Sequence, residues 1–363
     1  MTQSSSPQRC DILFSGTGYF TEIMMADLAI AARTSLRIVV GGRNVARMKW
    51  LVDACRARAE IFGTRVSFDS VELDSSSAAA LEPSLRSLQP KVVVQSASMQ
   101  SPWKVDNGAS KWSDLVASTG FGVTISFHAL LAFRTASAIK KLGLDCHFVN
   151  TCYPDGVNQL LTAAGVPLTT GVGNIGIFSA VIASRLPFAQ RKDLRVLGHH
   201  RHIVEWRKPV GTRAGTPVRA WVGDEELPNI DEMTRDIQLP HRDLNLISAA
   251  SAVPVLLALA GEDRRRCHVP GPNGRPGGYP VQVDVDGVTL DLPKGVSEAD
   301  AIRWNEQFED ADGVSIKNGR IVYSQRARDQ LRQYGSEIAD GFAAADVEAA
   351  AERLGALRAR LGG

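Results

Sequence analysis

Three histidines stand close together in the segment from Val196 to His202, in the second half of the chain. Histidine exchanges protons near neutral pH, so it suits the role of general acid or base in catalysis. Alternation along a strand predicts that His200 and His202 lie on one face and His199 on the other. His200 is the predicted proton donor or acceptor. The alternatives are a packed or surface histidine and a metal ligand.

A second polar group follows the apolar strand predicted at Cys146–Asn150. Ligands bind at the carboxyl ends of the strands in a parallel sheet, so we expect Asn150 to position a reacting group. Tyr153 comes three residues later and is the reserve proton donor. Asp155 belongs to the same group, although it could instead cap the helix that begins near Val157.

The start of the chain carries the order strand, glycine turn, helix and strand, which is typical of dinucleotide-binding domains. Gly16 permits the turn, Gly18 lets the backbone approach a pyrophosphate, and the amides at the helix start face that anion. Thr21 stands where the fingerprint has Gly or Ala. The residues predicted to bind the cofactor are Gly16, Gly18, Tyr19, Phe20, Arg43, Asn44, Ser96, Ala97 and Ser98.

The end of the second strand indicates which dinucleotide binds. An NAD site has Asp or Glu at this point, whereas this chain has Gly42, Arg43 and Asn44. A carboxylate would repel a 2′-phosphate, but a guanidinium pairs with it. We therefore predict NADP(H), with Arg43 on the phosphate; the alternative is a solvated arginine at a helix start. The turn at Ser96–Ser98 is expected beside the nicotinamide half.

These patterns predict an α/β fold in two domains. A Rossmann doubly wound parallel sheet is expected over residues 8–152, followed by an α+β substrate domain with antiparallel strands over residues 153–363. The second domain contains a predicted strand at His199–Trp206 and a hairpin that turns at Asp286–Gly287.

Composition narrows the class of protein. The formal net charge is only +2, so the composition does not indicate binding to nucleic acid or to an anionic membrane surface. The first ten residues lack an apolar signal core, and the longest apolar run, at 249–260, is too short to span a bilayer. The five cysteines show no paired spacing, which favours cytosolic thiols over disulfides or zinc. We expect a cytoplasmic enzyme acting on a small molecule.

Chain order and several segments resemble the lactate/malate dehydrogenase family. Asn150 matches the asparagine of the family's Asn-Pro-x-Asp, and Gly198-His199-His200 matches its Gly-x-His-Gly loop. The segment 280–292 is similar to the one before the family's last helix. The resemblance implies an oxidoreductase with His200 at the proton-transfer position, and a homodimer or tetramer. The first hundred residues, particularly 42–44 and 96–98, resemble the NADP-binding domain of saccharopine reductase-like proteins.

Two departures from the family bear on the substrate. The family supplies an Asp that orients its histidine and an Arg that clamps the substrate carboxylate, whereas the stretch Asn174–Ser179 has neither. The family also has a mobile Arg over the substrate, which has no clear match here. The cationic residue nearest to that position in this sequence is Lys104, after Trp103. A simple 2-hydroxy acid is therefore not expected, and the apolar stretch suits a larger or less anionic molecule.

The residues together predict an NADP(H)-dependent oxidoreductase that transfers hydride to or from a carbonyl or imine carbon. A backbone carbonyl or another carboxylate is expected to orient His200. The rival hypothesis is a non-catalytic NADP-binding sensor or scaffold that has kept the cofactor fold.

Overall fold

Six parallel strands form the central sheet in a computed structural model that describes residues 9–101, 110–241 and 243–363. Their order across the sheet is β3-β2-β1-β4-β5-β6, which is the doubly wound arrangement. The strands are β1 (Ile12–Ser15), β2 (Leu36–Gly42), β3 (Val66–Glu72), β4 (Val92–Gln95), β5 (His147–Asn150) and β6 (Thr170–Gly171). The helices that connect them are α1 (Tyr19–Ala31), α2 (Val45–Phe62), α3 (Ala78–Leu88), α4 (Lys111–Thr119), α5 (Ile125–Leu142) and α6 (Pro154–Ala163).

The central strands are buried on both faces, which explains their nearly continuous apolar sequences. Successive side chains of a strand point to opposite faces of the sheet. Ile12 and Phe14 of β1 therefore pack in one hydrophobic core, and Leu13 packs in the other. Ile12 pairs with Ile38 on one side and with Val92 on the other. This packing fixes the carboxyl edge of the sheet, where a ligand would bind.

The second half of the chain adds three small antiparallel sheets. Their strands are β7 (Leu194–Leu197), β8 (Arg219–Val222), β9 (Glu225–Glu226), β10 (Arg265–Pro270), β11 (Gly278–Asp284), β12 (Gly287–Leu290), β13 (Val314–Lys317), β14 (Arg320–Tyr323) and β15 (Phe342–Ala343). The helices are α7 (Asn174–Arg185), α8 (Phe188–Arg191), α9 (Arg201–Trp206), α10 (Ile230–Met233), α11 (Asn245–Leu259), α12 (Glu298–Glu306), α13 (Glu309–Asp312), α14 (Gln325–Arg332), α15 (Ser336–Ala339) and α16 (Val347–Arg360). The predicted fold class is confirmed.

The last part of the chain returns to the parallel sheet. Val314, Ile321 and Leu354 belong to the same hydrophobic core as Leu13. On the surface of this contact, Arg134 of α5 donates to Glu348 of α16 at 3.0 Å. The C-terminal segment is thus packed on the half of the protein that contains the parallel sheet, although it follows the antiparallel sheets in sequence. The predicted domain boundary between residues 152 and 153 stays a prediction.

Local predictions for the second half have mixed outcomes. The hairpin is confirmed by the pairing of β11 with β12, but its turn lies at 285–286, one residue before the predicted Asp286–Gly287, because Asp284 pairs with Gly287. The strand at His199–Trp206 is wrong, because β7 ends at Leu197 and residues 201–206 form α9. The helical stretch Phe121–Leu142 is long and apolar enough to cross a membrane, but 78% of its most apolar part is buried inside the protein.

Candidate active site

The glycine turn after β1 has the geometry that its sequence predicts. Gly16 has a φ of +128°, where side chains are disfavoured. A Cβ at Gly16 would lie 2.8 Å from the amide nitrogen of Ala97 and 2.8 Å from Oγ of Ser96. At Gly18, which precedes α1, a Cβ would meet nothing within 4 Å. Gly16 is therefore required by the fold, and Gly18 leaves open space at the helix start.

This contrast predicts two different outcomes for two alanine variants. Gly16→Ala should lower the free energy of unfolding by about 1–3 kcal/mol, because the methyl group is strained and meets the backbone. Gly18→Ala should cost less than about 1 kcal/mol but should weaken NADPH binding, because the methyl group fills the approach to α1. Urea unfolding and fluorescence titration measure the two effects. Equal stability losses in the two variants would contradict the assignment.

The turn after β4 packs against the glycine turn through hydroxyl groups. Oγ of Ser96 lies 2.5 Å from Oγ1 of Thr21 and 3.3 Å from the carbonyl oxygen of Ser15. Ser98 donates to the carbonyl oxygen of Gln100 at 2.7 Å. Thr21, at the third fingerprint position, is fully buried by this packing. The side chains of Ser96 and Ser98 therefore shape the turn from within the protein.

The residues after β2 have separate roles. Asn44 caps α2, because its side-chain oxygen accepts the backbone N–H of Arg47 at 2.9 Å. Arg43 is exposed just beyond the end of β2. Tyr19 and Phe20 begin α1, and Phe20 packs partly against the first hydrophobic core. Arg43 is thus accessible to a ligand, whereas Asn44 holds a helix.

Asn150 is fully buried, and its amide is engaged within the protein. It donates to the carbonyl oxygen of Cys152 at 3.1 Å and to the side chain of Asn158 at 2.9 Å. Its oxygen accepts the backbone N–H of Cys152 at 3.0 Å. These bonds satisfy the amide, as a buried amide requires. Asn150 therefore fixes the loop after β5, and this geometry does not support the prediction that it contacts a reacting group.

The three histidines do not alternate across a strand. His199 follows the end of β7 and His200 precedes α9, so the prediction of opposite faces for these two residues is wrong. Nδ1 of His200 lies 3.0 Å from Oδ2 of Asp312, and Nδ1 of His199 lies 4.0 Å from the same oxygen. A helical turn in place of a strand brings both rings towards one carboxylate.

His199 and His202 are packed and neutral. A backbone N–H can only donate, so Nδ1 of His199 accepts from Arg201 at 3.1 Å, and Nδ1 of His202 accepts from His199 at 2.9 Å. Nε2 of His202 is then free to donate to the carbonyl oxygen of Thr216 at 3.1 Å. Burial lowers the pKa of His199, and it lowers the pKa of His202 to about 4. For these two residues the packed alternative holds.

The pKa of His200 is shifted in the opposite direction from those of His199 and His202. Burial alone would lower the pKa of its imidazole, but the charge and hydrogen bond of Asp312 outweigh burial and raise it above the ordinary value. In the described part of the chain, the hydrogen bond of the ring is made by Nδ1, which leaves Nε2 for another partner. The backbone N–H of His200 donates to Oδ1 of Asp155 at 3.0 Å. His200 is therefore held in place and favours its protonated form.

Asp312 is the residue that sequence reasoning missed. It ends α13 with only 3% of its side chain exposed. Burial would raise the pKa of its carboxyl group, but His200 holds that pKa below the ordinary value. Gly120 and Gly122 allow the close approach of this segment, since a Cβ on either would lie within 2.7 Å of the Asp312 carbonyl oxygen. The expectation that another carboxylate orients His200 agrees with this geometry.

Tyr153 and Asp155 complete the surroundings of the pair. The hydroxyl group of Tyr153 donates to Oδ2 of Asp312 at 3.4 Å. Burial and the neighbouring carboxylates raise the pKa of Tyr153 well above its ordinary value, which makes the phenol a poor acid. Asp155 accepts from His200 and, at 2.5 Å, from the side chain of Asn174, so it is a connector and not a helix cap.

The apolar stretch 174–179 does not line a cleft. Ile175, Ile177 and Phe178 are buried in the third hydrophobic core, and a Cβ at Gly176 would lie 2.3 Å from Oγ of Ser251. The argument for a larger or less anionic substrate from this stretch is therefore wrong, because its apolar side chains face the interior. Trp103 and Lys104 lie outside the described residues.

Metal and disulfide alternatives were also open from the sequence. In the residues that the structure describes, no group of three or more His, Cys, Asp or Glu side chains is arranged to hold a metal ion. All five cysteines are free thiols. The bond between His200 and Asp312 suits this site to proton transfer by an imidazole paired with a carboxylate.

Comparisons with known proteins concern the fold. No family model matches the chain, and no curated protein matches its sequence. Among solved structures, the minor L-lactate dehydrogenase from Enterococcus mundtii is 15% identical with a TM-score of 0.49, covering 85% of this chain and 98% of that one. Lactate dehydrogenase from Eimeria maxima is 13% identical with a TM-score of 0.48, covering 84% and 93%. Malate dehydrogenase from Cryptosporidium parvum is 13% identical with a TM-score of 0.49, covering 83% and 96%. The resemblance to saccharopine reductase-like proteins stays a prediction.

Proposed function

We propose that this chain is an NADP(H)-dependent oxidoreductase that transfers hydride to or from a carbonyl or imine carbon of a small organic substrate. The observation that supports this best is the pair of His200 and Asp312, tied by Asp155 to the carboxyl edge of the parallel sheet. Ligands of doubly wound sheets bind at this edge. The glycine turn follows β1 and the loop that holds His200 follows β5, so both lie at the carboxyl edge of the same sheet.

The glycine turn fits a dinucleotide. Gly16 brings the turn against the end of β4, and Gly18 leaves the start of α1 open to a pyrophosphate. When bound, the nicotinamide cofactor supplies or accepts the hydride. Arg43 is exposed at the end of β2, in the place where an NAD site carries an acidic residue, so it is the proposed ligand of the 2′-phosphate.

His200 would move the proton that accompanies hydride transfer. Its Nδ1–H donates to Asp312, so Nε2 is the atom that gives the proton to the substrate oxygen or nitrogen. In the reverse direction, Nε2 accepts that proton. Asp312 keeps the ring oriented and stabilises the imidazolium ion without itself taking up the proton. Tyr153, which donates to Asp312, would hold the carboxylate in position.

Cofactor choice is tested by binding. NADPH should bind at least tenfold more tightly than NADH, which is about 1.4 kcal/mol. Arg43→Ala should remove most of that difference and leave NADH affinity unchanged. Fluorescence titration measures both affinities. Equal affinities in the wild-type protein would reject NADP(H) as the cofactor.

Activity is tested by NADPH oxidation with a panel of keto acids, aldehydes and imines. Turnover of any of these compounds supports the proposed oxidoreductase activity. Tight binding with no turnover across the panel would favour the sensor or scaffold. A cytoplasmic location and a homodimeric or tetrameric state stay predictions.

A further inference from the structure

Arg47, in the first turn of α2, reaches across to the glycine turn. Its Nε donates to the carbonyl oxygen of Thr17 at 3.4 Å, and its Nη2 lies 2.5 Å from Oε2 of Glu22. Thr17 stands between the two glycines of the turn, and Glu22 lies in the first turn of α1. A guanidinium group therefore lies at the rim of the proposed cofactor site, although no role follows for it from the fingerprint.

The backbone of Arg47 is fixed, whereas its guanidinium group is partly exposed to solvent. The Asn44 cap accepts its N–H at 2.9 Å, which anchors the residue one helical turn from Arg43. About a third of each side chain in the ion pair is exposed, 31% for Arg47 and 37% for Glu22. Ion pairs that are exposed to this extent contribute little to the free energy of unfolding. A more highly charged anion could therefore replace the Glu22 carboxylate at small cost.

A nearby carboxylate competes with the phosphate for the charge of Arg43. Hydrogen bonds from Ser76 lower the pKa of Asp74, and the charge of Arg43 contributes to the same shift, so Arg43 already lies in the field of a carboxylate. A phosphate monoester carries close to two negative charges at neutral pH. The forked donors of a second guanidinium match its oxygens.

We propose that Arg47 is a second ligand of the 2′-phosphate of NADP(H) and that Glu22 occupies it until the nucleotide binds. This inference rests on the proposed preference for NADP(H). On binding, the phosphate oxygens replace the Glu22 carboxylate at the guanidinium, and no covalent bond changes. Arg47 would then determine cofactor specificity together with Arg43.

The test uses 2′,5′-ADP and 5′-AMP, which differ only in the 2′-phosphate, and measures their affinities by calorimetry. Arg47→Ala should weaken 2′,5′-ADP about tenfold and leave 5′-AMP unchanged. Arg47→Lys should fall between, because lysine keeps the charge and loses the fork. Glu22→Gln should strengthen 2′,5′-ADP a few-fold, since it frees the guanidinium. Arg56→Ala is the matched control, because Arg56 lies on the same helix and pairs with Asp69 at 3.1 Å.

The outcomes separate the two proposals. If the wild-type protein binds both nucleotides equally, the preference for NADP(H) fails and the role of Arg47 fails with it. If 2′,5′-ADP is preferred but Arg47→Ala leaves that preference intact, Arg43 suffices and the role of Arg47 is overturned. Equal weakening of both nucleotides by Arg47→Ala would also overturn it, because that result indicates a structural effect on the turn.

Discussion

Replacing His200 with asparagine is expected to lower kcat by about 10²–10⁴-fold, while NADPH affinity stays nearly unchanged. Asparagine keeps a group that can donate to Asp312, but it carries no exchangeable proton at the position of Nε2. The glycine turn and Arg43, which are the proposed ligands of the cofactor, are not altered. Steady-state rates with the best substrate of the panel and titration with NADPH measure the two quantities.

His199→Asn is the matched control, because His199 lies beside His200 and close to the same carboxylate. His199 is neutral and buried, and its Nδ1 accepts a backbone N–H, so this variant should affect stability more than kcat. If His200→Asn turns over at the wild-type rate, the acid lies elsewhere. Tyr153→Phe would then be the next variant, although the phenol already donates to Asp312.

Asp312→Asn should also reduce kcat by about 10²–10⁴-fold near neutral pH, for a different reason. The carboxylate raises the pKa of His200 against the effect of burial. Without it that pKa falls, so less of the imidazole is protonated and its orientation is less well fixed. The basic limb of the kcat/KM profile for reduction should move to lower pH. Part of the lost rate should return on acidification.

The pKa shifts of His200 and Asp312 also predict how the unfolding free energy of Asp312→Asn differs from that of the wild type as pH changes. His200 has a raised pKa in the folded protein, so its contribution is complete below the unfolded pKa and is lost as pH rises through the folded pKa. Asp312 has a lowered pKa, so its contribution is present above the unfolded pKa and is lost on acidification. The difference in unfolding free energy between wild type and Asp312→Asn should therefore be largest between about pH 4 and pH 6.5.

Asp310→Asn serves as the control for this prediction, because Asp310 is exposed on the same short helix. Urea unfolding at several pH values compares the two variants with the wild type. A constant difference across the pH range would show that Asp312 acts through packing alone. In that case the shift of the kcat/KM profile should also be absent.

Much of the parallel half could be predicted because its signals are local. The apolar run at residues 12–14, the glycines that follow and the helical pattern after them lie within a few turns of chain. Helix α2 (Val45–Phe62) starts directly after the Asn44 cap, so its start is also a local signal. Gly16 could be identified because a tight turn between a strand and a helix requires its conformation.

The candidate site depends on contacts that no local pattern encodes. Asp312 stands in the acidic stretch 309–312, whose sequence is typical of a solvated surface, but the fold buries its first and last residues, Glu309 and Asp312. Asn150 donates to Asn158 in α6, the next helix along the chain, so its amide is satisfied inside the protein and not by a ligand. The segment 199–206 mixes polar and apolar residues in a way that suits either a strand or a short helix, and tertiary packing of Trp206 decides for the helix.

The bond between His200 and Asp312 joins residues that are 112 positions apart. Forming a contact of this kind closes a long loop, and the entropy lost by the intervening chain opposes it until other contacts order that chain. The glycine turn, in contrast, is held by bonds from Gly16 to Gly41 of β2 and from the residues after β4 to Ser15, all within the first hundred residues. During refolding, a chain can therefore acquire a nucleotide-binding surface while it still lacks an oriented proton donor. Chemical competence in this molecule therefore requires the segment that carries Asp312 to be in place, and detachment of that segment would leave the proton donor without its orienting carboxylate.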